Sequence, residues 1–354
     1  MYEYLQGKAV LVTGGTGSIG SEIVRQVLSH GPKVVRIFSR DEAKQYWLEN
    51  TLGRRGDLRY LLGDVRDKDR LRRAMKDIDI VFHAAALKQV PSCEYNPFEA
   101  VKTNVVGTQN VIEASLETGV SRVIAVSTDK AINPTSTMGA TKLLSERLIA
   151  TANSWASDTI FACVRFGNVL NSRGSLIPLA KSQIERGGPV TITDERMTRF
   201  MMPIAHAVSL TLEAAGHAGG GEIFILKMPA VRIRDLLCAL IEEYAPLIGA
   251  RPATIRLHRI GVRPGEKMDE ELITAEEIPR TSEMRRMLVV HPLHSGILRD
   301  EAPLPEALYR SSAAVLLDRR AIISLLYECG ALPGRSTSGE GLPNEGRRGS
   351  VAAM

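Results

Sequence analysis

The segment Gly14-Gly15-Thr16-Gly17-Ser18-Ile19-Gly20 constrains this chain more than any other. It follows the apolar run Ala9–Thr13 and opens a stretch with Ile19, Ile23, Val24, Val27 and Leu28 at helical spacing, ended by His30-Gly31-Pro32. A strand must therefore turn sharply into a helix at these glycines. Glycine suits such a turn because it takes positive φ freely and lets the backbone approach a pyrophosphate. The helix N-terminus then presents free N–H groups to that anion. Strand, glycines and helix together make a dinucleotide-binding turn that uses Gly14, Thr16, Gly17, Ser18, Ile19 and Gly20.

The same alternation continues. Short apolar runs at Val34–Phe38, Leu58–Leu62, Ile78–His83, Arg122–Ser127 and Phe161–Arg165 are separated by helical patterns, the longest from about Phe98 to Thr118. Near-continuous apolar strands between helices imply an α/β fold, a doubly wound parallel sheet of Rossmann type covered on both faces. After Gly167 the elements shorten and Gly and Pro interrupt them, at Ile177–Arg186, Val190–Thr193, Ala205–Ala215, Glu222–Leu226 and Ile233–Tyr244. The expected organisation is a dinucleotide domain over 1–167, whose core can recruit later segments, and a smaller C-terminal α/β substrate lobe over 168–300. A helical extension over 301–329 would pack on a neighbouring subunit or cap its own lobe. Residues 330–354, poor in large apolar side chains, read as a disordered tail.

The second strand ends Phe38-Ser39-Arg40-Asp41, where NAD-selective chains place a carboxylate for the ribose 2′-OH. Ser39 and Arg40, helped by Lys44, suit a 2′-phosphate, so NADP is expected; the alternative is NAD with Asp41 on the ribose. Asp64 and Val65 are placed to meet the adenine, Ala84, Ala85 and Ala86 leave room for the dinucleotide, and Asn104 is expected to orient nearby backbone. His83 reads as a core or loop histidine. The other histidines and the dispersed Cys93, Cys163, Cys238 and Cys329 lack ligand spacing, so no metal is expected. The mild net charge of +5 forms no basic block with aromatics, which argues against nucleic acid. No run reaches the ~20 apolar residues of a membrane span, and Met1–Gln6 lacks a secretion signal, so a cytoplasmic protein is expected.

A further signal lies at the end of the fifth strand: Ser127-Thr128-Asp129-Lys130-Ala131, followed by Met138-Gly139-Ala140-Thr141-Lys142. With Arg165-Phe166-Gly167-Asn168-Val169, Ser172-Arg173-Gly174-Ser175, Met197-Thr198-Arg199-Phe200 and Arg263-Pro264-Gly265-Glu266-Lys267, the chain from about Lys8 to Val290 resembles a known family. These are the extended short-chain dehydrogenase/reductases, and among them the nucleotide-sugar 4,6-dehydratases typified by UDP-N-acetylglucosamine 4,6-dehydratase, the CapD-like proteins of polysaccharide biosynthesis.

The resemblance implies a lyase that borrows a hydride from sugar C4, removes the C5 proton, expels the C6 hydroxyl as water and returns the hydride to C6. It implies Lys130 as base at C5, Asp129 as acid for the C6 oxygen, Thr128 on O4 and Lys142 on the nicotinamide ribose. A neutral Lys130 would need its pKa lowered by burial or by nearby cations. Met138 stands where most of the family carry a tyrosine base, and methionine moves no proton, so the O4 proton must go to Asp129, Lys142 or water. For a UDP-sugar substrate the resemblance implies Arg263 on the diphosphate, Glu266 on ribose hydroxyls, Asn168 on the sugar or phosphate, Arg199 on a phosphate or the nucleobase, and Lys88 with Pro91 along the sugar. The family's retaining members that carry methionine are long membrane-anchored chains, and no such region precedes this one, so inversion at C5 is expected, in a homo-oligomer such as a hexamer. The alternatives are a retaining dehydratase, a C4 epimerase, or a non-catalytic NADP-binding sensor kept open by Met138.

Overall fold

The computed structural model describes residues 2–156, 158–298 and 304–333. Its strands are β1 (Ala9–Thr13), β2 (Val34–Ser39), β3 (Leu58–Leu62), β4 (Ile80–His83), β5 (Arg122–Val126), β6 (Ile160–Arg165) and β7 (Asn168–Leu170). There follow β8 (Val190–Ile192), β9 (Thr198–Pro203), β10 (Ile223–Leu226), β11 (Ala230–Arg232), β12 (Leu257–Arg259), β13 (Thr281–Glu283) and β14 (Met287–Val290). Among the described residues the main sheet runs β13-β14-β10-β6-β5-β4-β1-β2-β3. From β3 through β10 all neighbours are parallel, and β14 and β13 add an antiparallel edge.

Every residue of β1, β4 and β10 is buried, as a sheet packed on both faces requires. Strand order reverses between β1 and β4, where chain neighbours diverge and leave a crevice at the carboxyl ends of the strands. The expected Rossmann-type parallel sheet is present.

The main sheet does not end at residue 167, and later segments join its core. Strands β10, β13 and β14, all beyond that point, complete the main sheet. The smaller lobe is left with β7, β9 and β11 in one sheet, β8 and β12 in another, and helices Leu176–Glu185, Ile233–Tyr244 and Arg319–Glu328 around a second core. The chain is thus threaded between the lobes several times. A boundary set by a change in element length misses this, because sheet membership depends on pairing with distant strands.

The region named as a helical extension forms one short turn, Glu306–Leu308, and the helix Arg319–Glu328. That helix caps its own lobe: Ile322 and Leu326 join the second core, and the Arg319 guanidinium donates to Glu242 at 2.9 and 2.6 Å. Of the segment read as a tail, Ala331 and Leu332 are buried in the same core; 334–354 lie outside the described residues. The long helical run also differs from a plain α-helix. It consists of Pro97–Ala100, a π-helical stretch Val101–Val106 and Gly107–Thr118. Hydroxyls of Thr108 and Ser145 each donate to the Asn104 carbonyl at 2.6 Å, which explains the wider turn at this point.

Candidate active site

A cleft of about 830 Å³ runs from the glycine turn across the ends of β1, β4 and β5 to the smaller lobe. Its first end is defined by what cannot be there. Gly14 has φ of +66°, and a Cβ on it would lie 2.7 Å from the Ala85 nitrogen; one on Gly20 would lie 2.2 Å from the Gly14 carbonyl. The turn is therefore packed directly against the Ala84–Ala86 loop, while Gly17 begins the helix Ser18–Leu28 with its N–H groups toward the cleft end. A cradle that only glycine can form, at a helix N-terminus and a switch point of strand order, fits the pyrophosphate of a dinucleotide. Thr16, Ser18, Ile19, Ser39, Arg40, Lys44, Asp64, Val65 and Ala86 also line this end.

The charged groups here are arranged unequally. Asp41 caps the helix Glu42–Leu52, accepting from Lys44 N at 2.9 Å and from Lys44 Nζ at 2.5 Å, bonds that hold its carboxyl below the usual range. Ser39 accepts from Gln45 Nε2 at 3.1 Å. Arg40 is exposed and meets Asp64 only at 3.7 Å. Asn104, grouped with the cofactor residues as one that orients nearby backbone, does not itself line the cleft. It is buried behind the wall, accepting from Leu87 N at 2.8 Å and donating to Leu87 O at 3.0 Å, so it sets the loop that faces the ligand.

The middle of the cleft carries Thr128, Lys130, Met138 and Lys142. Gly139 lets the helix Thr137–Ala152 press onto the Asp129–Ala131 turn, since a Cβ there would meet the Lys130 carbonyl at 2.3 Å. Lys142 donates to the Val126 carbonyl at 2.7 Å, and burial pulls its ammonium below the ordinary lysine range. His83 is a buried core residue, bonded to Thr13 at 2.7 Å and Thr108 at 3.1 Å. Burial, aided by the Lys142 charge, pushes its pKa down to about 3. Met138 is buried beside Cys93 and Ala100.

Two expectations about Asp129 and Lys130 are corrected. Asp129 is wholly buried and does not line the cleft; its Oδ1 accepts from Thr128 Oγ1 at 2.7 Å and Lys130 Nζ at 3.0 Å. It lies behind Lys130 instead of beside a ligand. Nor is Lys130 lowered. Burial pulls in that direction, but the carboxylates of Asp129 and of Glu270, 3.4 Å away, outweigh it and hold Lys130 above the ordinary range. A buried cation between two carboxylates keeps its proton. Glu270 is a site residue that the sequence does not single out. It stands in the acidic run Asp269-Glu270-Glu271, where nothing local distinguishes the one carboxylate that folds inward.

At the far end, Lys88, Asn168, Arg263 and Glu266 line the cleft, with Arg263 exposed on its rim. Asn168 Oδ1 is buried without a hydrogen-bond partner among the described residues, an acceptor left for a ligand. Lys88 Nζ reaches Ser172 Oγ at 3.4 Å, and burial with the nearby Arg173 charge lowers its pKa. Arg199 is revised. Its guanidinium donates to the carbonyls of Thr198 (2.7 Å), Lys267 (2.8 Å) and Met268 (3.2 Å) and pairs with Glu270 at 3.4 Å. So occupied, it pins the 267–270 segment and is not a free clamp. Arg173, given no role by the sequence, fastens the lobe onto the glycine turn: its N donates to Ser18 Oγ at 3.1 Å and its Nη2 to the Thr16 carbonyl.

A second buried cluster supports this end. Arg165 places one bidentate fork on Glu146 (3.0 and 2.7 Å) and another on Glu277 (2.9 and 3.0 Å). It joins β6, the helix Thr137–Ala152 and the segment that follows Glu270. Among the described residues no His, Cys, Asp and Glu group could hold a metal ion, and no helix is long and apolar enough to cross a membrane.

Comparison with known proteins agrees with this geometry. Residues 10–292 match the family described as polysaccharide biosynthesis protein. An uncharacterized membrane protein of Methanocaldococcus jannaschii is 53% identical over 92% of this chain and 97% of its own. The inverting UDP-N-acetylglucosamine 4,6-dehydratase of Campylobacter jejuni is 43% identical over 81% of this chain and 83% of its own. A UDP-glucose 4-epimerase of Rickettsia rickettsii is 42% identical, covering 78% and 81%. Among solved structures, Pen from Bacillus thuringiensis superposes with a TM-score of 0.85 at 44% identity, covering 92% of this chain and 98% of that one. The dTDP-glucose 4,6-dehydratase of Streptomyces venezuelae, with NAD and TYD bound, gives a TM-score of 0.64 at 26% identity, covering 73% and 86%. The chain belongs to the polysaccharide biosynthesis protein family and is an enzyme of the nucleotide-sugar dehydratase and epimerase group, built to use a nicotinamide cofactor.

Proposed function

We propose that this enzyme is a 4,6-dehydratase that converts UDP-N-acetylglucosamine to a UDP-4-keto-6-deoxy-hexosamine, inverting C5 and using NADP. The observation that carries the proposal is Lys130: a charged amine in the middle of the cleft, backed by the buried Asp129 at 3.0 Å. Loss of water across C5 and C6 needs a group that removes a carbon-bound proton and one that supplies a proton to the departing oxygen. A linked lysine and carboxylate can exchange a proton between them and serve both needs. The nicotinamide, when bound, takes up a hydride from the sugar and gives it back.

The remaining roles follow from the side chains. Gly14, Gly17 and Gly20 seat the pyrophosphate. Arg40, held only loosely by Asp64, can turn onto a 2′-phosphate, whereas the Asp41 carboxylate is engaged with its own helix; both favour NADP over NAD. Thr128, whose hydroxyl proton points to Asp129, offers its lone pairs to the sugar O4-H. With Met138 unable to act, Lys142, lowered by burial, takes the O4 proton. Arg263 clamps the diphosphate, Glu266 accepts from ribose, and Asn168 and Lys88 hold the sugar.

Incubation with UDP-N-acetylglucosamine and NADP⁺ in D₂O tests this reading by NMR. Loss of water with deuterium at C5 is expected, and the coupling at C5 reports inversion. Epimerisation is the second reading, because relatives at 42% identity carry that name; a C4 epimer that retains protium at C5 would establish it. Cofactor binding without turnover of any nucleotide sugar would point to a sensor.

A further inference from the structure

Glu270 is placed where a proton can both arrive and leave. Its Oε1 lies 3.4 Å from Lys130 Nζ and 3.4 Å from Arg199 Nε, while its Oε2 is buried without a partner among the described residues. Its backbone is fixed on both sides by Ser311, through Glu270 N to Ser311 Oγ and Ser311 N to Glu270 O, each 2.9 Å. Glu270 and Lys130 share the wall of a side chamber of about 170 Å³ that adjoins the main cleft, Lys130, Asn168, Arg199 and Glu266 lining both. Burial, the foremost influence, raises the Glu270 pKa toward the range where it can hold a proton.

We propose that Glu270 is a positioning residue acting through Lys130: Oε1 holds the Lys130 ammonium, takes its proton when Lys130 must act as a base, and returns it afterwards. This deepens the dehydratase reading and rests on it. The need arises from the charge state of Lys130, which cannot accept the C5 proton while it is an ammonium. Transfer to Glu270 turns ammonium and carboxylate into amine and carboxylic acid. The amine then takes the C5 proton, the ammonium so formed gives it to the departing C6 oxygen as water leaves, and Glu270 returns its own proton to the amine. The groups facing Glu270 are Lys130 and Asp129 from the turn after β5, Arg199 from β9 and Lys267 from its own segment. Of these, Asp129 also has an unpartnered buried oxygen. Its Oδ1, however, accepts from the Thr128 hydroxyl as well as from Lys130, bonds that favour its charged form, whereas no hydroxyl is bonded to Glu270 Oε1 among the described residues.

The test is Glu270→Gln, which keeps shape and removes proton uptake. At neutral pH kcat falls about 10- to 100-fold with KM within about two-fold, and the deficit shrinks as pH rises, because solvent then strips Lys130 directly. An unchanged kcat, or a loss equal at every pH, overturns the proposal. A second measurement needs no substrate, so it separates this proposal from the dehydratase reading. Lysines are ¹³C-dimethylated and titrated by NMR, with Lys130 assigned by Lys130→Arg. The Lys130 midpoint drops by about one unit or more in Glu270→Gln; a midpoint that stays in place overturns the coupling. Should Glu270→Gln not fold, Glu270→Asp, which keeps the acid but withdraws it from Lys130, is titrated instead: a Lys130 midpoint below that of wild type supports the coupling, and an unchanged one refutes it.

Discussion

The two ends of the cleft are built on opposite principles. The glycine end is made by omission, with backbone atoms so close that a single added carbon at position 20 would sit 2.2 Å from a carbonyl. The lysine end is made by balance, with Lys130, Asp129, Glu270 and Arg199 drawn from three separate segments into one buried network of charge. Steric exclusion has no intermediate setting, so the first end grips one chemical shape. Charge balance can shift when a single proton moves, which suits the proton transfer proposed for that end. Binding and proton transfer are therefore separable in this molecule.

The sharpest test of that separation is a pair of variants. Lys130→Met should cut kcat by about 10²- to 10⁴-fold while leaving the cofactor dissociation constant nearly unchanged. Gly20→Ala should weaken cofactor binding on the order of 10²-fold, the effect of displacing a binding backbone by about an ångström. Fluorescence titration of NADP and a coupled assay read both quantities. If Lys130→Met loses cofactor as strongly as Gly20→Ala, the two ends act as one unit and the separation does not exist.

The lysine end should also depend on distant charge, which the glycine end should not. Arg165→Met leaves Glu146 and Glu277 facing each other with no cation between their forks. Removing the partner of a buried charge costs about 3–5 kcal/mol. Burial would raise the Glu277 carboxyl, but Arg165 holds it below its usual range, so the variant should unfold more readily at neutral pH than in mild acid, where these carboxyls can protonate. Denaturant melts at two pH values measure this; equal loss at both would show packing, not charge, to be at stake.

The same contrast governs how much of the molecule is legible in its sequence. The turn, β1 and the first helix lie within residues 9–28, and glycine spacing with apolar periodicity displays all three. Lys130 is legible too, because it follows a strand end in a recognisable motif. Glu270 is not, since its partner is 140 residues away and two other acids adjoin it. Arg199 reads as a free cation because sequence does not show that three carbonyls await its guanidinium. The return of β10, β13 and β14 to the main sheet is hidden likewise, being a matter of pairing and not of local pattern.

Beneath both ends, His83 ties the end of β4 to Thr13 of β1 and to Thr108 of the helix Gly107–Thr118. Its folded pKa of about 3 lies below the ordinary 6.5, so on acidification the unfolded chain takes up a proton that the folded chain refuses. Stability from this residue is complete above about pH 6.5 and declines by about 1.4 kcal/mol per pH unit as pH falls toward the folded value. Urea unfolding of wild type and His83→Asn between these limits should show a shallower acid slope in the variant. Parallel slopes would mean that His83 titrates alike in the folded and unfolded chain.

The smallest effect concerns the outer edge of the glycine end, where omission gives way to a loosely held charge. Arg40 is exposed and only 3.7 Å from Asp64 at its nearest approach, so little is lost when it turns toward a ligand. A charge-assisted bond to a 2′-phosphate at such a site is worth about a factor of ten in affinity. Arg40→Ala should therefore weaken NADP about ten-fold and leave NAD nearly untouched, because the ribose 2′-OH carries no charge to lose. Asp41 cannot take over, as its carboxylate is bound to Lys44 N and Nζ at the head of its own helix. If instead wild type binds NAD more tightly and Arg40→Ala changes neither cofactor, the edge carries no phosphate selectivity, and grip at this end resides in the backbone alone.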